Sequence, residues 1–249
     1  MNTLFAITLL VVGVAGTEAF DTSAMDVLVK NSDAHIKNTQ LLFAAAEKGA
    51  PSAVKALIEQ GTDVNAKNSL GGTPLHIAVR LGHKDVVKML IEHHAEVNAR
   101  NNEGYTPLHT AVTNGRGYIA KMLLENGARI NAEDIYGLTP LDRGIMFGDA
   151  NIVRILIERG ALINVKDKNE WTPLHHAVVG DSVDIVRLLM EAGANIYARN
   201  NGGQKPRDIC RSKEIKRMLV QAEIEMSNLM EVEMSRANGR TILTKEVFV

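Results

Sequence analysis

The amino-acid sequence predicts an all-α solenoid: helix-turn-helix units stacked along one axis, with turn loops protruding between them. Three observations in one phase predict it. Thr-Pro-Leu-His starts at Thr73, Thr106 and Thr172, and Thr-Pro-Leu-Asp starts at Thr139, in steps of 33 residues. Gly127, Gly160 and Gly193 each precede an Ala in that frame, with Gly61 in phase before them. The Asn of Val64-Asn65-Ala66 recurs as Asn98, Asn131 and Asn164. Signals that share one period along a chain mark stacked units, each burying its apolar face on its neighbours.

One period justifies each element in order. Thr73 suits a helix N-cap, and Pro74 suits the first helical position, where its missing N–H would be unpaired anyway. Leu75, Ala78 and Val79 follow at helical spacing. Gly82 ends that helix as a left-handed residue. Asp85 opens a second helix whose apolar face is Val86, Val87, Met89, Leu90 and Ile91. Ala95, Val97 and Asn98 leave it, and the polar run Arg100 to Gly104 reads as a turn.

These residues resemble the ankyrin repeat family. Thr-Pro-Leu-His, Gly before Ala and Val-Asn-Ala in a 33-residue frame are its marks, and the resemblance runs from about Thr39 to Val220. It implies paired antiparallel helices in a curved stack, with loops at about a right angle to the helices. It also implies that His76, His109 and His175 are structural, each bonding the capping Thr and a neighbouring loop.

Six units fit the frame. An N-terminal cap contains Gln40 to Ala46. Four full repeats start near Asn68, Asn101, Asp134 and Asp167. A C-terminal cap starts near Asn200, with Arg207 and Asp208 replacing Leu and His, and it lacks three residues of the period. Cys210, the single cysteine, stands where Ala78, Ala111 and Ala177 do and reads as a small core residue. His94 and Glu170 replace glycines. Gly144 replaces a core Ala and Asp142 replaces the motif His, so the third full repeat is the expected weak link. A glycine inside a helix costs about 1 kcal/mol against Ala.

The flanks differ. Residues 1–19 read as a signal peptide: Leu4 to Gly16 carries no charge, is too short to span a bilayer, and is followed by small residues suited to cleavage after Gly16 or Ala19. The expected localisation is therefore exported or secreted. If the segment is uncleaved, the chain is cytoplasmic or membrane-anchored, and that segment is its membrane contact. Residues 20–38 read as a linker, 39–233 as the solenoid with a C-terminal helix, and 234–249 as a tail. In that helix Ile215, Leu219, Ala222, Met226 and Leu229 form a heptad-like seam, expected to pack back on the last repeat.

A net charge of −1 over 249 residues gives no basic stripe for nucleic acid. No phosphate loop, nucleophile elbow or metal-binding helix motif is present, so neither catalysis nor a cofactor is expected. The histidines lie a repeat apart, in a row and not around a point, so no metal is expected. What remains is recognition of a protein partner. Its candidate residues are Tyr105, Leu138 and Trp171 before the capping threonines, Tyr136 on a loop, and Met146 and Phe147 on a first helix. Arg143, with Asn102, Glu103, Lys168 and Asn169, forms the expected rim, and His176 is expected on the exposed side of its helix. Clustered exposed apolar groups mark interfaces, where Trp and Tyr dominate. Two other roles fit the same sequence: an exported, effector-like factor acting on a host protein, and an assembly or stabilising protein working through the C-terminal helix.

Overall fold

The computed structural model describes residues 22–237, with side chains over 34–234. The segment 1–19, read as a signal peptide, and most of the tail lie outside the described residues. Those residues hold twelve helices and no strand: α1 Thr22–Lys48, α2 Pro51–Glu59, α3 Pro74–Leu81, α4 Lys84–Glu92, α5 Pro107–Thr113, α6 Gly117–Glu125, α7 Pro140–Phe147, α8 Ala150–Glu158, α9 Pro173–Val179, α10 Val183–Glu191, α11 Pro206–Ile209 and α12 Lys213–Ala237. The odd-numbered helices pack in one row from α1 to α11, and the even-numbered ones in a second row behind them. Within the second row α4 and α6 approach least, leaving a groove of about 380 Å³ lined by Ile91, Tyr118 and Met122.

A single apolar core runs the length of the stack. Each unit contributes the same fully buried set, such as Leu75, Ala78 and Leu90, then Leu108, Ala111 and Leu123. This is the 33-residue period made physical: one residue per unit, one layer per residue. Two polar ladders tie the units together. Asn102, Ile135, Lys168 and Asn201 each donate a backbone N–H to the preceding loop, at 3.0–3.2 Å. The Asn of each Val-Asn-Ala bridges to the next unit: Asn65, Asn98, Asn131 and Asn164 accept from the N–H of Glu96, Arg129, Leu162 and Asn195. These bonds explain why that Asn recurs.

The segment read as a linker is helical from Thr22, and α1 carries it without a break into the first unit. Residues 22–38 continue the pattern of a helix whose far end, Leu42 to Ala46, is locked into the core. The seam of the last helix is also only partly engaged. Ile215 and Leu219 are buried, while Met226 and Leu229 are exposed.

Among the described residues three positions hold left-handed backbone without glycine: His94 (φ 65°), Glu170 (φ 61°) and Asp181 (φ 54°). Asp181 stands one period after Gly148 (φ 81°), where the turn between helices demands that conformation. A side chain there costs about 1–2 kcal/mol in the general case, less for Asp. The triple change His94→Gly, Glu170→Gly and Asp181→Gly is therefore expected to stabilise the fold by about 1–2 kcal/mol, net of glycine's greater freedom when unfolded. A thermal midpoint that does not rise would show that these turns store no such strain.

Candidate functional site

The face built by the first helices and the loops rests on repeated caps. In three repeats the imidazole bridges its own cap to the next loop. The N–H and hydroxyl of Thr73 lie 3.2 and 2.9 Å from His76 Nδ1, and Nε2 lies 3.0 Å from the carbonyl of Tyr105. His109 repeats this toward the Leu138 carbonyl and His175 toward that of Gln204. A carbonyl only accepts, so Nε2 carries the ring proton and Nδ1 is the acceptor. A second proton on Nδ1 would face two donors. Burial first, then, holds His109 down at about 4 and lowers His76 and His175 as well.

Asp142 does half of this work. Its Oδ2 accepts from the Thr139 N–H at 2.9 Å and the hydroxyl at 2.6 Å. Its Oδ1 is buried without a partner, because a carboxylate is too short to span to the next loop. Burial pushes this carboxyl up, against the pull of the Thr139 bonds. Asp142→His should restore the missing bridge and stabilise the stack by about 1 kcal/mol, readable as a higher denaturant midpoint. Beside it, a Cβ on Gly144 would sit 3.0 Å from Val112 Cγ1, so that glycine lets adjacent units close together. The third repeat thus carries two local costs, as its sequence led one to expect.

Each loop begins with an Asn or Asp whose Oδ1 accepts from the N–H groups two and four residues on, as Asp134 does from Tyr136 and Leu138. In Asp134 and Asp167 the second oxygen meets a basic side chain nine residues later. Arg143 Nε lies 2.9 Å from Asp134 Oδ2, and His176 Nε2 lies 3.1 Å from Asp167 Oδ2. The Asp134 side chain is 0 % exposed and that of Arg143 only 15 %. The guanidinium stands 4.8 Å from the Tyr105 ring centroid and 5.8 Å from that of Tyr136. The Trp171 ring tilts against His175 at 5.9 Å and His176 at 5.2 Å, and Tyr105 stacks on His109 at 5.5 Å.

The predicted patch is therefore reshaped. Leu138 is 7 % exposed and drops out of it, because its short side chain is covered between the loops while the larger rings in its register reach out half-buried. His176 is not a free surface group, since Asp167 and Trp171 hold its ring. Arg143 is the centre of a nearly buried cluster and not rim. Tyr136, Met146 and Phe147 are the open members, 57, 55 and 52 % exposed, and Val179, one period after Met146, is exposed too. Phe147 leans toward Gly115, where a Cβ would touch its ring at 3.5 Å. The acidic partners Asp134 and Asp167 escaped the sequence reading. The signal was there: only these two loops start with Asp instead of Asn, and only they have a basic group nine residues on.

Among the described residues no group of three His, Cys, Asp or Glu side chains converges as a metal site, and no helix is long and apolar enough to cross a membrane. Cys210 is buried, its thiol pushed up by burial, and contacts the Ser212 carbonyl. A search of the curated proteins finds no match. A family model described as ankyrin repeats (3 copies) matches residues 41–134 and again 133–200. That covers well over half of the chain, in the same frame as the Thr–His caps and the loop ladder, and this chain belongs to the ankyrin repeat family.

Proposed function

We propose that the chain binds a partner protein through the concave face and loop tips of its central repeats. Ankyrin stacks are generally protein–protein interaction modules, and the first helices line their concave side. The observation that carries the reading is where large apolar groups stand open on that layer. At the last turn of the first helices, α3 holds Arg80 and Leu81, α5 ends on Thr113 with Asn114 as its cap, and α7 holds Met146 and Phe147. Tyr136 stands open on the loop before α7, and Trp171 and Tyr105 offer half-buried edges on either side. Exposed apolar groups beside fixed aromatic rings have the composition of an interface centre. The Asp134–Arg143 pair anchors the rings, so little side-chain freedom is lost on binding. In this reading the chain has no catalytic step and no cofactor.

The test is a triple variant, Tyr136→Ala with Met146→Ser and Phe147→Ser, against the parent chain as bait in its native cells. The variant is expected to lose the captured protein and keep its helical circular dichroism. Capture that survives with the fold intact would move the site elsewhere. A second reading rests on the apolar N-terminal segment: export, and an effector-like role toward a host protein. A native chain that begins at Thr17 or Phe20 would support this, and one that begins at Met1 would end it.

A further inference from the structure

The last helix outruns the stack that it caps. Ile215 and Leu219 are buried against the core and Ala222 is half-buried, while Met226, Leu229, Met230 and Met234 are exposed. Steps of three and four residues put all of them on one face of α12. The face that closes the stack for two turns thus continues, uncovered by any described residue, for about 20 Å beyond Ala222 at 1.5 Å per residue. The direction of this overhang is fixed. Arg207 of α11 pairs with Glu223, whose side chain is largely buried.

Between the overhang and the end of α10 lies a groove of about 600 Å³. Its apolar lining is Met190, Ala194 and Ile196 on one side and Ala222, Met226 and Leu229 on the other. Its charged lining is acidic, Glu191 and Glu225. From Gln221 to Met234 the helix carries no Lys or Arg, and beyond Glu223, which Arg207 pairs, it carries Glu225, Glu231 and Glu233. A second copy of this helix would set glutamates against glutamates, which works against pairing. An apolar seam with carboxylates around it is complementary to a helix with an apolar face and basic flanks. Methionine side chains adapt to such a partner without a fixed shape.

We propose that this groove and overhang dock a basic amphipathic helix of another protein, laid on the end of the stack as one further helix. The site is separate from the concave face and stands whether or not that face binds.

The experiment titrates the full chain with labelled synthetic helices of about 18 residues, at about 0.15 M salt, read by fluorescence anisotropy. One peptide has Leu on one face and Lys elsewhere. A second has Glu in place of Lys, and a third has the first peptide's composition scrambled so that no face is apolar. The first is expected to bind at least about tenfold tighter than either control. Met226→Ser with Leu229→Ser, both at exposed positions, should weaken it by about tenfold or more. Glu191→Lys with Glu225→Lys should turn the preference toward the acidic peptide. Equal binding of the scrambled peptide, or indifference to the Met226 and Leu229 changes, would overturn the proposal. So would a dimer seen by light scattering that Leu229→Ser dissociates, since the face would then belong to a second copy.

Discussion

Arg143→Ala is expected to destabilise the fold by about 3 kcal/mol. The loss is not the energy of one ion pair. Asp134 Oδ2 is fully buried, and Arg143 is the cation that bonds it. Removing the guanidinium leaves a charge in a poor solvent, while Oδ1 remains tied to the N–H groups of Tyr136 and Leu138. The rings of Tyr105 and Tyr136 lose the cation between them as well, at about 0.5–1 kcal/mol each. Asp134→Asn in the same background should recover most of the loss, because Asn68, Asn101 and Asn200 do the same turn duty uncharged. Urea denaturation of the single and double variants reads this directly. A single variant as stable as the parent would mean that Asp134 finds water, and that the cluster does not order the face.

Acid is expected to weaken the stack from about pH 6.5 downward. His76, His109 and His175 sit neutral, with Nδ1 turned toward donors. An unfolded histidine titrates near 6.5, and His109 in the fold near 4. A folded value below the unfolded one means that the stabilisation is complete above about pH 6.5. It is lost as pH falls toward the folded value. For His109 that window is worth about 3 kcal/mol, with further losses of the same sign from His76 and His175. Asp142 acts in the opposite sense: raised by burial, it favours the fold at low pH and loses that contribution as pH rises through its folded value. Three histidines outweigh one carboxyl, so stability should fall steeply from pH 6.5 to 4.5. Denaturant midpoints along that range test it, and His109→Gln should flatten the slope. A flat profile for the parent chain would contradict buried neutral rings.

The repeat, the caps and the Thr–His bridge were legible because each is a local rule repeated in phase. The Asn of Val-Asn-Ala was legible as a signal but not as a bond, since its partner lies a whole unit away. Leu138 shows the limit most clearly. Its register matches Tyr105 and Trp171, yet side-chain length alone decides which of the three reaches the surface. Arg143 and His176 were visible as polar residues on a helix face. Their burial follows from carboxylates nine residues earlier, a spacing that no single helix brings together. The helix from Thr22 was not legible for another reason: its residues lack the repeat's marks, so nothing in the period extends to them. The overhang of α12 was half legible. The seam was evident in sequence, but where the stack stops supporting it depends on the length of its neighbours.

The proposed recognition runs through the open apolar groups on the first-helix layer. The most direct measurement places a photo-reactive residue at position 147, and separately at position 118 on the opposite row, in the chain expressed in its native cells. One covalent adduct with a distinct protein is expected from position 147 and none from position 118. An adduct from position 118 alone, or none from 147 while the partner still copurifies, would contradict it.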